Sequence, residues 1–265
     1  MTSTIRQAAL LLAIPASLAA QQPTTLRVSP QQGQTLRFST LVETWVNLTS
    51  LGATMDTVRA TTALTIYTTR TVMQVRADTA IIRDVIDSAR AATPAIPGMT
   101  AADKAAAATA MRGLTTFSAI DGRGVLLDYA GAQTMGQMSA PLQSMMPMAG
   151  LLRAVFAFPV NPVRAGETWS ETLSSRDADG SLTLSATFTL TGTQARGSHS
   201  VAMITLTGQM GGGGPNGALA MRASGNLEFD MTDSQPVRFV TDLQGQLSTS
   251  TASVPIRVRR TVVRL

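Results

Sequence analysis

Few residues of this 265-residue chain have the type and spacing that chemistry needs. His199 is the single histidine, and there is no cysteine. A Ser-His-Asp hydrolase would use His199 as its base and place its serine on a strand–turn–helix elbow. No Gly-x-Ser-x-Gly occurs, so His199, in RGSHSV, reads as a solvated residue of a turn. One histidine without cysteine also leaves no ligand set for zinc. Asp177 and Asp179 before Gly180 resemble the start of a calcium loop, but SLTLSATF follows and the downstream Glu is missing. Paired carboxylates for glycoside hydrolysis would need aromatics nearby to hold a sugar, and few Asp or Glu lie near one. GGGGPNG (211–217) lacks the Gly-Lys-Ser/Thr of a phosphate cradle and reads as a flexible loop. The sequence therefore predicts no enzyme, no catalytic residue, no metal and no cofactor.

The chemistry that remains is that of binding. In MGQMSAPLQSMMPMAGLLRAVFAF, Met135, Met138, Leu142, Met145, Ala149, Leu152 and Phe156 follow a 3-4 spacing and share one stripe of a helix. Methionine is soft and adaptable, so two uses are open. The stripe plugs the sheet it packs on, or it forms the wall of a site for a lipid-like ligand. In the second case Met135, Met138, Leu142, Met145, Met146, Leu152 and Phe156 line the ligand. An acyl chain would gain about 0.8 kcal/mol per buried CH₂ there. Pro141 and Pro147 interrupt the stripe, giving two short helices or one kinked helix.

The elements that must position such a site are mostly strands. In LRFSTLVETWVNL, Leu36, Phe38, Val42, Val46 and Leu48 fall on one face, with Arg37, Ser39, Glu43 and Asn47 on the other. SLTLSATFTL and ALAMRASGNLEFDM alternate in the same way. Period-2 patterns with one apolar face predict antiparallel sheet. IDGRGV (120–125), DADGS (177–181) and TDSQPV (232–237) supply the hairpin turns. TAADKAAAATAMRG predicts a helix from Thr100 to a stop at Gly113. A sheet of eight to ten such strands must cover its apolar face, and strands this numerous curl. The predicted fold is mainly β: a large curved antiparallel sheet, half-barrel-like, made from two similar halves, with one or two short helices against the concave face.

Composition sets the compartment. Arg6 is followed by an apolar run, Pro15 and small residues, which reads as an export signal over 1–20 cut after Ala19 or Ala20. No later run reaches the length of about 18 apolar residues that a spanning helix needs. Without cysteine, neither a lipoprotein anchor nor a disulfide is available. The mature chain is expected in the periplasm or outside the cell. An outer-membrane barrel would need aromatic girdles, and two Trp and two Tyr do not make them. Without Arg6 the net charge falls from +5 to +4. Its arginines are dispersed except for Arg257, Arg259, Arg260 and Arg264, which read as a solvated strand face; with 4% aromatics, nucleic acid is excluded as a partner.

Two phrases occur twice. SPQQGQTLRFSTL (29–41) matches NPVRAGETWSETL (161–173), and the Phe117 and Asp121 segment matches that of Phe229 and Asp233. DTAII (78–82) also matches HSVAMI (199–204). An internal duplication is the expectation, with a first β half at 24–132, a Met-rich connector at 133–160 and a second β half at 161–265. The phrase Pro162, Val163, Gly166, Glu167 and Trp169 resembles one that opens the second half of a domain-of-unknown-function family of exported bacterial β-proteins. More loosely, a curved sheet with helix on its concave side is similar to the carriers that move lipoproteins and lipids across the bacterial periplasm. That resemblance implies an apolar, lipid-like ligand or an envelope protein as partner. The alternative is a structural or assembly module of the envelope without a small-molecule ligand.

Overall fold

The computed structural model describes residues 22–47, 59–92, 101–130, 156–177, 180–214, 217–248 and 252–265. The first half contributes β1 (Thr35–Asn47), β2 (Arg59–Arg76), β3 (Thr79–Ala92), α1 (Ala101–Met111), β4 (Thr115–Asp121) and β5 (Leu126–Ala130). The second half contributes β6 (Thr168–Asp177), β7 (Gly180–Arg196), β8 (His199–Gly214), β9 (Gly217–Asp230), β10 (Gln235–Ser248) and β11 (Ser253–Arg264). All eleven strands join one open antiparallel sheet in the order β5-β4-β3-β2-β1-β11-β10-β9-β8-β7-β6. The chain starts at the centre, steps out to the β5 edge, restarts at the opposite β6 edge and steps back. β11 then pairs with β1 from Phe38↔Arg264 to Val46↔Ile256.

The period-2 pattern of the sequence becomes the two faces of this sheet. The inner row Phe239, Thr241, Leu243 of β10 sits opposite Val262, Arg260, Val258 of β11 and Leu227, Gly225, Ala223 of β9. Gly208, Gly225 and Gly245 share this inner face, where a Cβ would run into the backbone of the neighbouring strand. Omitting side chains there lets the strands curl inward, which is how glycine builds curvature into a sheet.

The curl brings the two edges together at one end. Arg123, in the β4–β5 turn, pairs with Glu171 on β6, so the extreme strands are joined by an ion pair and not by a strand ladder. Two chain segments are threaded between them. Thr24 and Val163 exchange both backbone hydrogen bonds, Val28 N–H donates to Gly122 O, and Phe158 N–H donates to Arg123 O. Leu26, Val28, Ala157 and Phe158 are buried under β6–β11, and the Phe158 ring lies 4.5 Å edge-on from Phe229. The fully buried core cluster consists of these segments and the second-half strands; no residue of β1–β5 belongs to it.

The halves share local detail. Gly33 (φ 82°) and Gly166 (φ 86°) lie in the turns that lead into β1 and β6, in the left-handed region that favours glycine. Gly33 N–H donates to Val72 O and Gly166 N–H to Leu190 O; Val72 and Leu190 return bonds to Gln34 and Glu167. The Gln34 and Glu167 side chains accept from the N–H of Gln31 and Arg164, each three residues back. A β-bulge follows Val72 in β2 and Leu190 in β7. Asp121 Oδ1 accepts from Arg123 and Val125 N–H, and Asp230 Oδ1 from Thr232 and Asp233 N–H. Asp121 and Asp230 thus play the same part in their turns, whereas the sequence reading set Asp121 beside Asp233.

Several expectations change in detail. Eleven strands form where eight to ten were expected. The glycines Gly211–Gly214 are not loop but the end of β8, paired into β9 as far as Gly214↔Gly217. Only one helix lies among the described residues, and it packs on β3 with Met111 buried. Gly113 does end it, donating to Ile86 O. No helix among the described residues is long and apolar enough to cross a membrane.

Candidate functional site

Among the described residues, the inner face of the first half is not filled like that of the second. A cleft of about 260 Å³ opens over β1–β5 and the adjoining ends of β10 and β11. Its apolar floor includes Phe38, Ile66, Ile86, Ile120, Phe239 and Val262. Thr40, Thr68, Thr116 and Ser118 add hydroxyls, because β-branched Thr fits a pleated surface whether or not it is buried. Phe156 closes one end, 6.0 Å edge-on from Phe239 and 5.3 Å from Phe158. Gly124 (φ 82°) makes room for it: a Cβ there would lie 2.6 Å from the Phe156 ring.

Charge enters this face at two places. Arg70 and Asp84 are register partners on β2 and β3 and form a two-pronged pair, 2.9 and 3.0 Å. The Arg70 guanidinium also lies 5.1 Å over the Phe38 ring. Burial alone would lower the Arg70 pKa, but the Asp84 charge and hydrogen bonds outweigh it and hold it above the ordinary guanidinium value. Arg260 lines the cleft from β11, opposite Val42 and Thr241. Along β1 the Arg260 row is six residues from the Arg70 row, about 20 Å at the usual strand rise.

A second polar cluster sits at the tips of the β7–β8 and β9–β10 hairpins. Asp230 is 1% exposed and receives Arg264 at 2.9 Å. His199 Nδ1 lies 2.8 Å from Asp230 and 3.7 Å from Asp233, and Arg264 also reaches Asp233 at 3.1 Å. Burial would raise the Asp230 pKa; Arg264, the Asp233 and Thr232 N–H groups and His199 together hold it below the ordinary carboxylate value. His199 is therefore half-solvated and tied to a buried carboxylate, which corrects its reading as a merely solvated turn residue. Ligand atoms of His199, Asp230 and Asp233 come within 4.8 Å of one another. The positive charge between the two carboxylates is already supplied by Arg264, so the cluster is an internal ion-pair lock. The arginine cluster is corrected too: Arg257 binds Asp242 and stacks over Trp45 at 5.1 Å, and Arg264 is four-fifths buried.

No protein-family model matches the chain, and no curated protein matches it. Among solved structures, one described as lipid–protein interactions in lipovitellin is similar in fold, with a TM-score of 0.50 at 11% identity. The likeness covers 89% of this chain and 25% of that one, so the chain spans about a quarter of its length. It shows a shared curved-sheet fold.

Of the predicted ligand-lining residues, Phe156 is in the cleft wall. Met135, Met138, Leu142, Met145, Met146 and Leu152 lie outside the described residues, as does the export signal. The phrase at the start of the second half is architectural. Pro162 is exposed; Val163 is buried and bridges to Thr24; Gly166 and Glu167 make the turn; Trp169 Nε1 donates to Ala157 O and stacks on Phe188 at 5.5 Å. Sequence reasoning passed over Arg70, Asp84, Arg123 and Glu171, and read Arg260 as part of a solvated strand face. Their signal was available: each strand member shares parity with apolar neighbours, as Arg70 does with Ile66 and Val72 and Glu171 with Trp169 and Leu173.

Proposed function

We propose that this protein is a non-enzymatic binder of an apolar, lipid-like ligand, held in the cleft on the concave face of β1–β5. The observation that carries this reading is the unequal filling of one sheet by the described residues: among them the second half has a closed core, while the first keeps about 260 Å³ over an apolar floor. That is somewhat below the usual range for small-molecule pockets, and well above the cavity of about 150 Å³ that admits benzene. A similar fold in a structure titled for lipid–protein interactions favours the same reading. Binding is preferred to catalysis because the ionisable groups Arg70 and Asp84 in the cleft are tied to each other. The pattern of residues 1–20 supports export, with the periplasm or exterior as the place of action. The matched turns, bulges and hydrogen bonds of the two halves support a duplicated unit whose copies diverged, one into a core and one into a site.

The test is a ladder of n-alkanols displacing a neutral fluorescent probe. Each added pair of methylenes contributes about 1.6 kcal/mol if buried, close to tenfold in affinity. Binding should climb at about that rate and level off when the cleft is full. Affinity indifferent to chain length, together with no lipid extracted from protein purified without detergent, would rule the reading out.

A further inference from the structure

We infer that Phe156 sets the length of the hydrocarbon chain that the cleft accepts. The inference rests on the apolar-ligand reading above and goes further in naming the residue that limits the ligand. Phe156 belongs to two environments at once: its ring lines the cleft, and it packs against the closed core of the second half. On the core side stands Phe158, 5.3 Å away, 1% exposed and edge-on to Phe229. A chain that passed the ring would therefore meet filled space. The ring is also braced. Phe239 lies edge-on to it at 6.0 Å, and Gly124 is so close that a Cβ there would come within 2.6 Å. Two residues on, Phe158 is fixed to the β4–β5 turn by bonds in both directions, its N–H donating to Arg123 O and its carbonyl accepting from Arg123 Nε. The backbone that carries the ring cannot withdraw without disturbing both. From the ring, the floor runs back along β3 through Ile82 and Ile86. Ala80, the cross-strand partner of Ile120 beside the turn, and Ile86 are six residues apart, about 20 Å at the usual strand rise. The cleft is thus a trough with an apolar stop at one end, and a ligand lying in it is measured against that stop.

The test repeats the n-alkanol ladder, with the same neutral fluorescent probe, on variants of the full chain that differ in the size of this one side chain. Phe156→Ala removes a ring the size of benzene, and its surroundings relax only partly into the space, so the length at which affinity levels off should rise by about four carbons. An alkanol two carbons past the wild-type limit should bind this variant about tenfold more tightly than it binds wild type. Alkanols well inside the limit should change by less than about fourfold, the effect of one methylene. Phe156→Trp should move the limit the other way, by about two carbons, and it carries the test should the alanine variant fold poorly. A merely structural role would lower affinity equally at every length. That result, or one limit shared by wild type and both variants, would overturn the inference while leaving an apolar ligand in place. A wild-type ladder without length dependence would remove both.

Discussion

The join between the two sheet edges makes the sharpest prediction. Arg123 donates from Nε to Phe158 O at 2.7 Å and pairs through Nη2 with Glu171. Replacing it with Met keeps an unbranched apolar stem and removes both interactions. The backbone bond from Phe158 N–H to Arg123 O is retained. The two side chains are 22% and 24% exposed, between the surface pairs worth under about 1 kcal/mol and the buried ones whose disruption costs about 3–5 kcal/mol. Arg123→Met should therefore destabilise by about 2 kcal/mol. With a urea slope of about 3 kcal/mol/M for a chain this long, the midpoint should fall by about 0.7 M with the slope unchanged. Adding Glu171→Gln removes the charge that Arg123→Met strands, so the double variant should be no worse than the single one, a coupling of at least about 1 kcal/mol. Strict additivity, or a midpoint shift under about 0.2 M, would mean that the edges are not joined by this pair.

Four further outcomes follow from the same geometry. Gly124→Ala, at φ 82° and facing Phe156, should cost about 2–3 kcal/mol in thermal or urea unfolding; a loss under about 0.5 kcal/mol would show that the turn does not support that ring. Ile86→Trp should fill the cleft and abolish probe and alkanol binding with the far-UV spectrum intact, and unchanged binding would place the ligand elsewhere. Arg70→Phe with Asp84→Leu should be neutral or stabilising, since a buried pair is often replaced by packed hydrocarbon without loss, whereas Arg70→Ala alone should destabilise by leaving Asp84 without its cation. Because Asp230 has a folded pKa below its unfolded value of about 3.9, its contribution is complete above that value and is lost as pH falls through the lower folded one. Arg264→Met should move the acid-unfolding midpoint upward, and an acid limb identical to wild type would show that the Asp230–Arg264 contact contributes nothing.

The fold was legible because its dominant signal is local. Phe38, Val42 and Val46 in β1, or Leu184, Phe188 and Leu190 in β7, declare their face by alternation alone. Turn chemistry placed the hairpins at 120–125, 177–181 and 232–237. What alternation does not encode is strand order: nothing local says that β11 returns to pair with β1, leaving β5 and β6 as edges. The joining of those edges depends on Arg123 and Glu171, 48 residues apart and in different halves. Of the ligand-lining residues read from the sequence, Phe156 lines the cleft and the other six lie outside the described residues. The charged members of the site looked like ordinary polar residues because the reading followed apolar positions and did not ask which charges share their parity.

That parity explains why one half holds a core and the other a cleft. In the second half, Trp169, Phe188, Leu206 and Gly225 form one inner row across β6–β9. Counting from the matched turns and bulges, the equivalent row across β1–β4 is Leu36, Arg70, Asp84 and Thr116. The same backbone grid thus presents a stacked Trp–Phe pair in one half and an Arg–Asp pair in the other. Ile120 likewise stands where the second half has Phe229, against which Phe158 packs. A row of aromatics draws the 22–28 and 156–163 segments down onto it, because each buried Phe or Leu contributes about 1.5–3 kcal/mol. An ion pair flanked by threonine offers such segments little apolar area and keeps its own demand for polar contact. Among the described residues, the first half is therefore left open by its side chains and not by its backbone.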